Sequence, residues 1–130
     1  MIYAFSKGRT TYNPQKTDGE PYIRAPGRRT ELYSGKSPRI HTENADGKRF
    51  PRSVIHIDKS NHKSTHPTAK PYDIMQYIVR TYSNENDLVL DPCMGTGSSA
   101  KVCMDNNRRY IGVEKDSMYF EIAKAYTKTQ

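Results

Sequence analysis

Residues 89–99, VLDPCMGTGSS, place an acidic residue at the end of an apolar run and then two glycines one residue apart. Glycines in such a turn let the backbone approach a ligand closely, and the helix that follows offers unpaired N–H groups. Glu114 ends the next apolar run, where its carboxylate can accept hydrogen bonds from both hydroxyls of a ribose. The turn, the helix start and the acid together predict a nucleoside-binding site.

The same residues leave two other interpretations open. Residues 95–100 also match the dinucleotide fingerprint G-x-G-x-x-G/A, and Glu114 lies 19 residues after Gly95, which is the spacing typical of an NAD or flavin site. Alternatively, the glycines only make a tight turn between a strand and a helix. The turn by itself does not choose between these interpretations.

The periodicity of the flanking sequence predicts the elements that must hold this turn. Apolar residues recur at helical spacing over 71–83, with Pro71 at the first helical position. We expect strands at 87–91 and 110–114, and helices at 98–107 and 116–128, the last with Asp116 as its N-cap. This order, α-β-α-β-α, predicts two parallel strands joined by a right-handed crossover.

The N-terminal half has a different character. Only IYAFS (2–6) and SVIHI (53–57) are typical of strands, and turn-rich polar sequence separates them. Residues 1–70 contain 14 Lys and Arg against six Asp and Glu, a net charge of +8, whereas residues 71–130 have a net charge of −1. Aromatic residues lie among these cations. The segment is therefore either a solubilising surface or a face that contacts the phosphates and bases of a nucleic acid.

Composition narrows the class of protein. A chain of 130 residues has room for one domain, and with 34% hydrophobic residues its core is small. Two cysteines, Cys93 and Cys103, fit neither a disulfide framework nor a zinc finger, although His62 and His66 have the spacing of half a finger. No leader or long apolar run is visible. We expect a cytoplasmic protein with no resident metal and no membrane partner.

Three further segments, in their order, resemble one known family. THPTAKPYDIMQYIV (65–79), DLVLDPCMGTGSS (87–99) and RYIGVEKDSMYFEIAKA (109–125) are similar to the S-adenosylmethionine region of the beta-class DNA amino-methyltransferases, which modify N6 of adenine or N4 of cytosine. TTYNPQKTDGEPY and DGKRFPRSVIHI resemble the target-recognition segment of the adenine-modifying members. Cys93, Thr96 and Ser99 stand where the family has an aromatic residue, Ser and Thr. The resemblance covers nearly the whole chain.

The resemblance implies a fold, a cofactor and a set of contacts. The fold is α/β, a partial Rossmann-like methyltransferase fold with a parallel βαβ unit at 65–130 and a loop-rich basic segment at 1–64. The cofactor is S-adenosyl-L-methionine, with its methionine end near Asp91, its ribose on Glu114 and its carboxylate covered by the H-P-T-A-K-P element. The implied contacts are His66, Thr68, Lys70, Asp91, Pro92, Gly95, Thr96, Gly97, Ser98 and Glu114.

Double-stranded DNA is the implied substrate, bound by the basic segment. The expected DNA contacts are Arg24, Arg28, Arg29, Lys48, Arg49 and Arg52. The resemblance to the adenine-modifying members favours N6 of adenine as the target. A bacterial or phage-infected cell is the setting in which restriction-modification enzymes of this kind act.

One departure from the family pattern is important. The family transfers the methyl group at an Asp/Asn/Ser-Pro-Pro-aromatic tetrapeptide, and none of the eight prolines here is adjacent to another. Asn13-Pro14-Gln15-Lys16 is the nearest string, and it lacks both the second proline and the ring. The chain therefore resembles the C-terminal half of such an enzyme, inactive alone. It either pairs with a catalytic chain, associates with itself, or is a DNA- or cofactor-binding remnant.

Overall fold

The computed structural model describes residues 2–24, 42–57 and 69–128. Contacts divide the chain into a large unit, residues 1–15 and 54–130, and a small unit, residues 16–53. The boundary predicted between residues 64 and 65 lies outside the described residues, so that division of the chain stays a prediction.

Seven helices and strands are described. In chain order they are β1 (Tyr22–Arg24), β2 (Thr42–Asn44), α1 (Tyr72–Tyr82), β3 (Leu88–Asp91), α2 (Ser98–Asp105), β4 (Arg109–Gly112) and α3 (Ser117–Lys128). The last five, which belong to the large unit, have the predicted order α-β-α-β-α. Strands β3 and β4 pair in parallel, as expected, with Asp91 opposite Gly112.

The helix boundaries differ slightly from the predicted ones. Pro71 lies at the N-cap of α1 rather than in its first helical position, and its carbonyl accepts a hydrogen bond from the Met75 N–H. Asp116 is the predicted N-cap of α3: its Oδ1 accepts the N–H groups of Met118 and Tyr119 at 2.9 and 3.1 Å. The first N–H groups of a helix have no carbonyl partner, because no helical turn precedes them. The Asp116 side chain accepts their hydrogen bonds instead, and this fixes where α3 begins.

Helix α2 is the centre of the core. Its Val102 and Cys103 are fully buried and pack with Val79 of α1. Met75, on α1, and Val89, on β3, pack against the same cluster. Burial raises the pKa of the Cys103 thiol, which therefore remains protonated and behaves as a small apolar side chain.

A polar contact joins α1 to α2 at the edge of this core. The Tyr72 hydroxyl donates to Asp105 at 2.8 Å, and Lys101 pairs with the same carboxylate at 2.9 Å. Burial, followed by the bond to Asp105, raises the pKa of Tyr72 to about 12. The hydroxyl is thus a permanent donor at neutral pH.

The two strands predicted in the N-terminal half are wrong. Residues 2–6 and 53–57 are irregular, and the described strands of the small unit are β1 and β2, which pair antiparallel, together with a Thr17–Arg49 bridge. Alternating apolar residues form a strand only when another strand provides hydrogen-bond partners, and no described strand pairs with either segment.

One face of the β3–β4 sheet is uncovered within the described residues. Leu88, Leu90, Ile111 and Val113 are each 50–63% exposed, although parallel strands normally bury both faces. No helix among the described residues is long and apolar enough to cross a membrane.

Candidate functional site

Asp91 is held by both the turn and the helix that follow it. Its Oδ1 accepts the backbone N–H of Cys93 at 3.0 Å, and its Oδ2 accepts the Ser99 hydroxyl at 2.5 Å. The first bond closes the turn after β3 and the second reaches the first turn of α2. These two bonds leave the carboxylate with one orientation at the end of the strand.

The glycine turn lies between β3 and α2 and contacts α3. Gly97 has φ +85°, a left-handed conformation that favours glycine, and a Cβ there would lie 2.9 Å from Cβ of Ala123. The Met94 N–H donates to the Val113 carbonyl at 2.9 Å, which joins the turn to the residue after β4. Gly97 therefore allows α3 to pack closely.

Glu114 lies beside this turn, as predicted, although β4 ends at Gly112 and not at Glu114 itself. Its Oε2 accepts the Gly95 N–H at 2.8 Å, and its Oε1 accepts the Asp116 N–H at 3.0 Å. The N–H groups of Asp116 and Gly95 hold the pKa of Glu114 below its ordinary value. Glu114 is therefore ionised at neutral pH, and each oxygen keeps acceptor capacity for a ligand hydroxyl.

Asp91 and Glu114 line one cavity of about 320 Å³. This volume is at the small end of the range of roughly 300–1,000 Å³ that ligand sites occupy. The other described residues that line it are Lys70, Met75, Cys93, Met94, Gly95, Ser98 and Ser99. Two carboxylates and one ammonium group thus surround this space. The rest of its wall consists largely of small side chains and of side chains that contain sulfur.

The structure brings together five of the residues predicted to contact a cofactor. Lys70, Asp91, Gly95, Ser98 and Glu114 all line the cavity. Pro92, Thr96 and Gly97 are absent from its described lining; Pro92 is exposed and Gly97 is covered by α3. His66 and Thr68 lie outside the described residues, as do His62 and the rest of the H-P-T element.

Sequence reasoning missed four lining residues. Met75, Cys93, Met94 and Ser99 were not among the predicted contacts. Ser99 carried a signal, because it occupies the position of the family's threonine and has a hydroxyl. Met75 follows Ile74 on a helix whose apolar spacing indicated only a core face, so nothing in the sequence distinguished it from a packing residue.

In the small unit, the predicted DNA contacts have different surroundings. Arg24 and Arg52 are exposed, whereas Arg28 and Arg29 lie outside the described residues. Arg49 is half-buried and donates to Asn44 Oδ1 at 2.6 Å, to the Gly47 carbonyl at 2.7 Å and to the Glu20 carbonyl. Its guanidinium also lies 4.7 Å from the centre of the Tyr22 ring. Arg49 therefore holds the small unit together.

Lys48 and Asn13 also have partners within the chain. Lys48 pairs with Asp18, and this hydrogen bond raises the pKa of the lysine.

Asn13 binds the end of α1: its backbone N–H donates to the Thr81 carbonyl at 2.7 Å and its side-chain amide to the Ser83 carbonyl at 3.1 Å. The amide of Asn13, the residue nearest to the catalytic pattern, thus satisfies carbonyl groups at a helix terminus.

Comparison with known proteins gives a consistent result. Residues 1–125 match the family N6_N4_Mtase, described as DNA methylase. The orphan methyltransferase M.BamHII of Bacillus amyloliquefaciens is 31% identical over 98% of this chain, and the chain covers 52% of that relative. The chain thus spans about half the length of this relative.

Two solved structures have a similar fold. A crystal structure of an M1.HpyAVI–SAM complex matches with a TM-score of 0.53 and 37% identity, over 59% of this chain and 38% of that chain. PvuII DNA methyltransferase (cytosine-N4-specific) also matches with a TM-score of 0.53, over 58% of this chain and 31% of that chain. Its 20% identity limits that likeness to the fold.

The hydrogen bonds at Glu114 predict a pH-dependent contribution to stability. Its pKa is lower in the folded chain than in the unfolded chain, so the carboxylate stabilises the fold above the unfolded value of 4.5. This contribution is lost as the pH falls through the folded pKa. We expect Glu114→Gln to lower the melting temperature at pH 7, and the difference from wild type to shrink below pH 4.5.

Thermal unfolding followed by circular dichroism across this pH range measures the effect. Glu121→Gln is the matched control, because Glu121 is exposed and pairs only with Lys124 of the same helix among its described contacts. A difference between Glu114→Gln and wild type that stays constant from neutral to acid pH would contradict the assignment.

Proposed function

The chain belongs to the DNA methylase family N6_N4_Mtase, and from this premise we propose that it forms the cofactor-binding and DNA-contacting part of an N6-adenine methyltransferase. The enzyme is of the restriction-modification or phage type and acts in the cytoplasm of a bacterial or phage-infected cell. The observation that carries the proposal is the pair of carboxylates, Asp91 and Glu114, on either side of a glycine turn in one cavity.

The groups around the cavity fit S-adenosyl-L-methionine. This cofactor presents ribose hydroxyls, an ammonium group, a carboxylate and a sulfonium ion. Glu114 is ionised and suits the hydroxyls, while Asp91 and Lys70 have the charges to bind the ammonium group and the carboxylate of an amino acid. His66 and Thr68 complete the covering of the carboxylate in this proposal. When bound, the cofactor supplies an electrophilic methyl group on its sulfur.

The M1.HpyAVI–SAM complex, which is 37% identical to this chain over 59% of its length, supports this choice of cofactor. A dinucleotide would need room for a pyrophosphate at the start of α2. At that position Ser99 is bonded to Asp91, and the Asp91 carboxylate would repel a phosphate at close range.

Ligand titration tests the choice of cofactor. We expect S-adenosylmethionine and S-adenosylhomocysteine to bind more tightly than NAD⁺ in isothermal calorimetry. Glu114→Ala removes the ribose acceptor and should weaken binding about tenfold, as loss of a hydrogen bond to a charged group does. Glu121→Ala, a change of the same type at an exposed position of α3, should have no effect. Tighter binding of NAD⁺ would overturn the proposed cofactor in favour of a dinucleotide.

The charge of the N-terminal half supports DNA as the macromolecular partner. Arg24 and Arg52 are exposed cations of the small unit, whereas Arg49 is engaged within that unit. Cations that neutralise phosphates release condensed counterions, so such binding weakens steeply as salt rises. We therefore assign phosphate contacts to Arg24 and Arg52, together with Arg28 and Arg29.

Fluorescence anisotropy with duplex DNA tests this assignment. Wild-type affinity should fall steeply with salt, and Arg24→Ala with Arg52→Ala should reduce the slope of log K against log salt by about two. Lys124→Ala with Lys128→Ala removes the same charge from α3 and should leave the slope close to that of wild type. Equal slopes for all three proteins would overturn the assignment of phosphate contacts to Arg24 and Arg52.

Methyl transfer requires a second half in our proposal. The 130 residues contain no adjacent prolines, so they lack the catalytic tetrapeptide of the family. On the described residues β3 pairs only with β4, and one face of the sheet exposes Leu88, Leu90 and Ile111. Unpaired strand edges and apolar sheet faces are normally covered. The proposed partner covers them with the catalytic half of the sheet.

Complementation tests this point. We expect no transfer of tritiated methyl groups to DNA by the chain alone, and transfer when it is co-expressed with the part of M.BamHII that it does not match. Nuclease digestion followed by chromatography should give N6-methyladenine. N4-methylcytosine in the product would show that the catalytic half supplied by the relative, and not this chain, selects the base. Robust transfer by the chain alone would overturn the need for a partner, and sedimentation as a stable dimer without exposed apolar surface would replace the partner with a second copy.

A further inference from the structure

Ser99 lines the cavity, although the sequence did not predict that it contacts the cofactor. It is 5% exposed, and its hydroxyl donates to Asp91 Oδ2 at 2.5 Å. A serine in the first turn of a helix commonly bonds to nearby backbone groups of its own chain segment. Here the hydroxyl instead reaches back eight residues to the end of β3.

The bond determines what Asp91 can offer to a ligand. One oxygen of Asp91 is fixed by the Cys93 N–H and the other by Ser99, so the carboxylate cannot rotate without breaking one of these bonds. Each oxygen of a carboxylate accepts about two hydrogen bonds, so both oxygens keep acceptor capacity for a ligand. Both Asp91 and Ser99 line the cavity.

We propose that Ser99 is a positioning residue that orients Asp91 for the ammonium group of the amino-acid end of the cofactor. The inference rests on the proposed function. The two carboxylates in the cavity have different partners. Glu114 accepts hydrogen bonds from the N–H groups of Gly95 and Asp116. Asp91 accepts one from the Cys93 N–H and one from the Ser99 hydroxyl. Ser99 thus acts on the amino-acid end alone and leaves recognition of the ribose unchanged.

Two ligands separate this role from a structural one. S-adenosylhomocysteine has the amino-acid end, and 5′-methylthioadenosine has the same adenosine and thioether without it. We expect Ser99→Ala to weaken S-adenosylhomocysteine about tenfold and to leave 5′-methylthioadenosine within about twofold of wild type. Ser99→Thr keeps the hydroxyl and should restore S-adenosylhomocysteine binding. Glu114→Ala should weaken both ligands.

Calorimetric titration of both ligands, with a melting curve for each variant, measures these effects. Ser117→Ala, on the exposed start of α3, is the control for loss of a serine hydroxyl. Equal weakening of both ligands by Ser99→Ala, or no weakening of either, would overturn the role of Ser99 while leaving the cofactor assignment intact. Wild-type protein that binds neither ligand would overturn the proposed function and this inference with it.

Discussion

The parallel register of β3 and β4 is the constraint on which the candidate site depends. Asp91 lies opposite Gly112, so both strands end at the same edge of the sheet. The ladder extends one step further, because the Val113 N–H donates to the Asp91 carbonyl at 2.9 Å. Glu114 therefore emerges beside the glycine turn, within 2.8 Å of the Gly95 N–H. A shift of the register by one residue would move Glu114 to the other face of the sheet.

The two glycines of the turn have different functions. Gly95 presents its N–H to Glu114 and lines the cavity, whereas Gly97 allows the approach of α3 through Ala123. The cavity and the packing of the last helix thus depend on adjacent parts of one turn. This arrangement links the geometry of the site to the stability of the large unit, because α3 cannot pack closely if residue 97 has a side chain.

The cations of the small unit differ in what they contact: some bond within the unit and others are exposed to solvent. Arg49 satisfies carbonyl groups and packs on Tyr22, whereas Arg24, Arg52 and Lys48 are exposed, the lysine in a pair with the exposed Asp18. A count of cations in the sequence treats all of these residues alike. Arg49 is bonded within the unit and is less available to a phosphate than the exposed cations, so the net charge overstates the number of contacts available to DNA.

The sequence by itself determined the order of helices and strands in the large unit, the position of the turn and the acid that faces it. These features depend on local properties: helical spacing in α1, the N-cap Asp116, and a strand that ends at Asp91. The predicted strands at 2–6 and 53–57 failed because a strand depends on a neighbour, which local alternation does not provide.

Only the tertiary structure decided which side chains share the cavity and which are used elsewhere. Met75 of α1 and Met94 of the glycine turn, 19 residues apart in the sequence, line the same cavity because α1 and the turn meet there. Ser99 bonds to Asp91, and Asn13 bonds to the end of α1, across separations of eight and 70 residues. Such contacts depend on the packing of whole elements against one another. The spacing of residues along the chain does not contain that information, because the same local pattern is compatible with many arrangements in space.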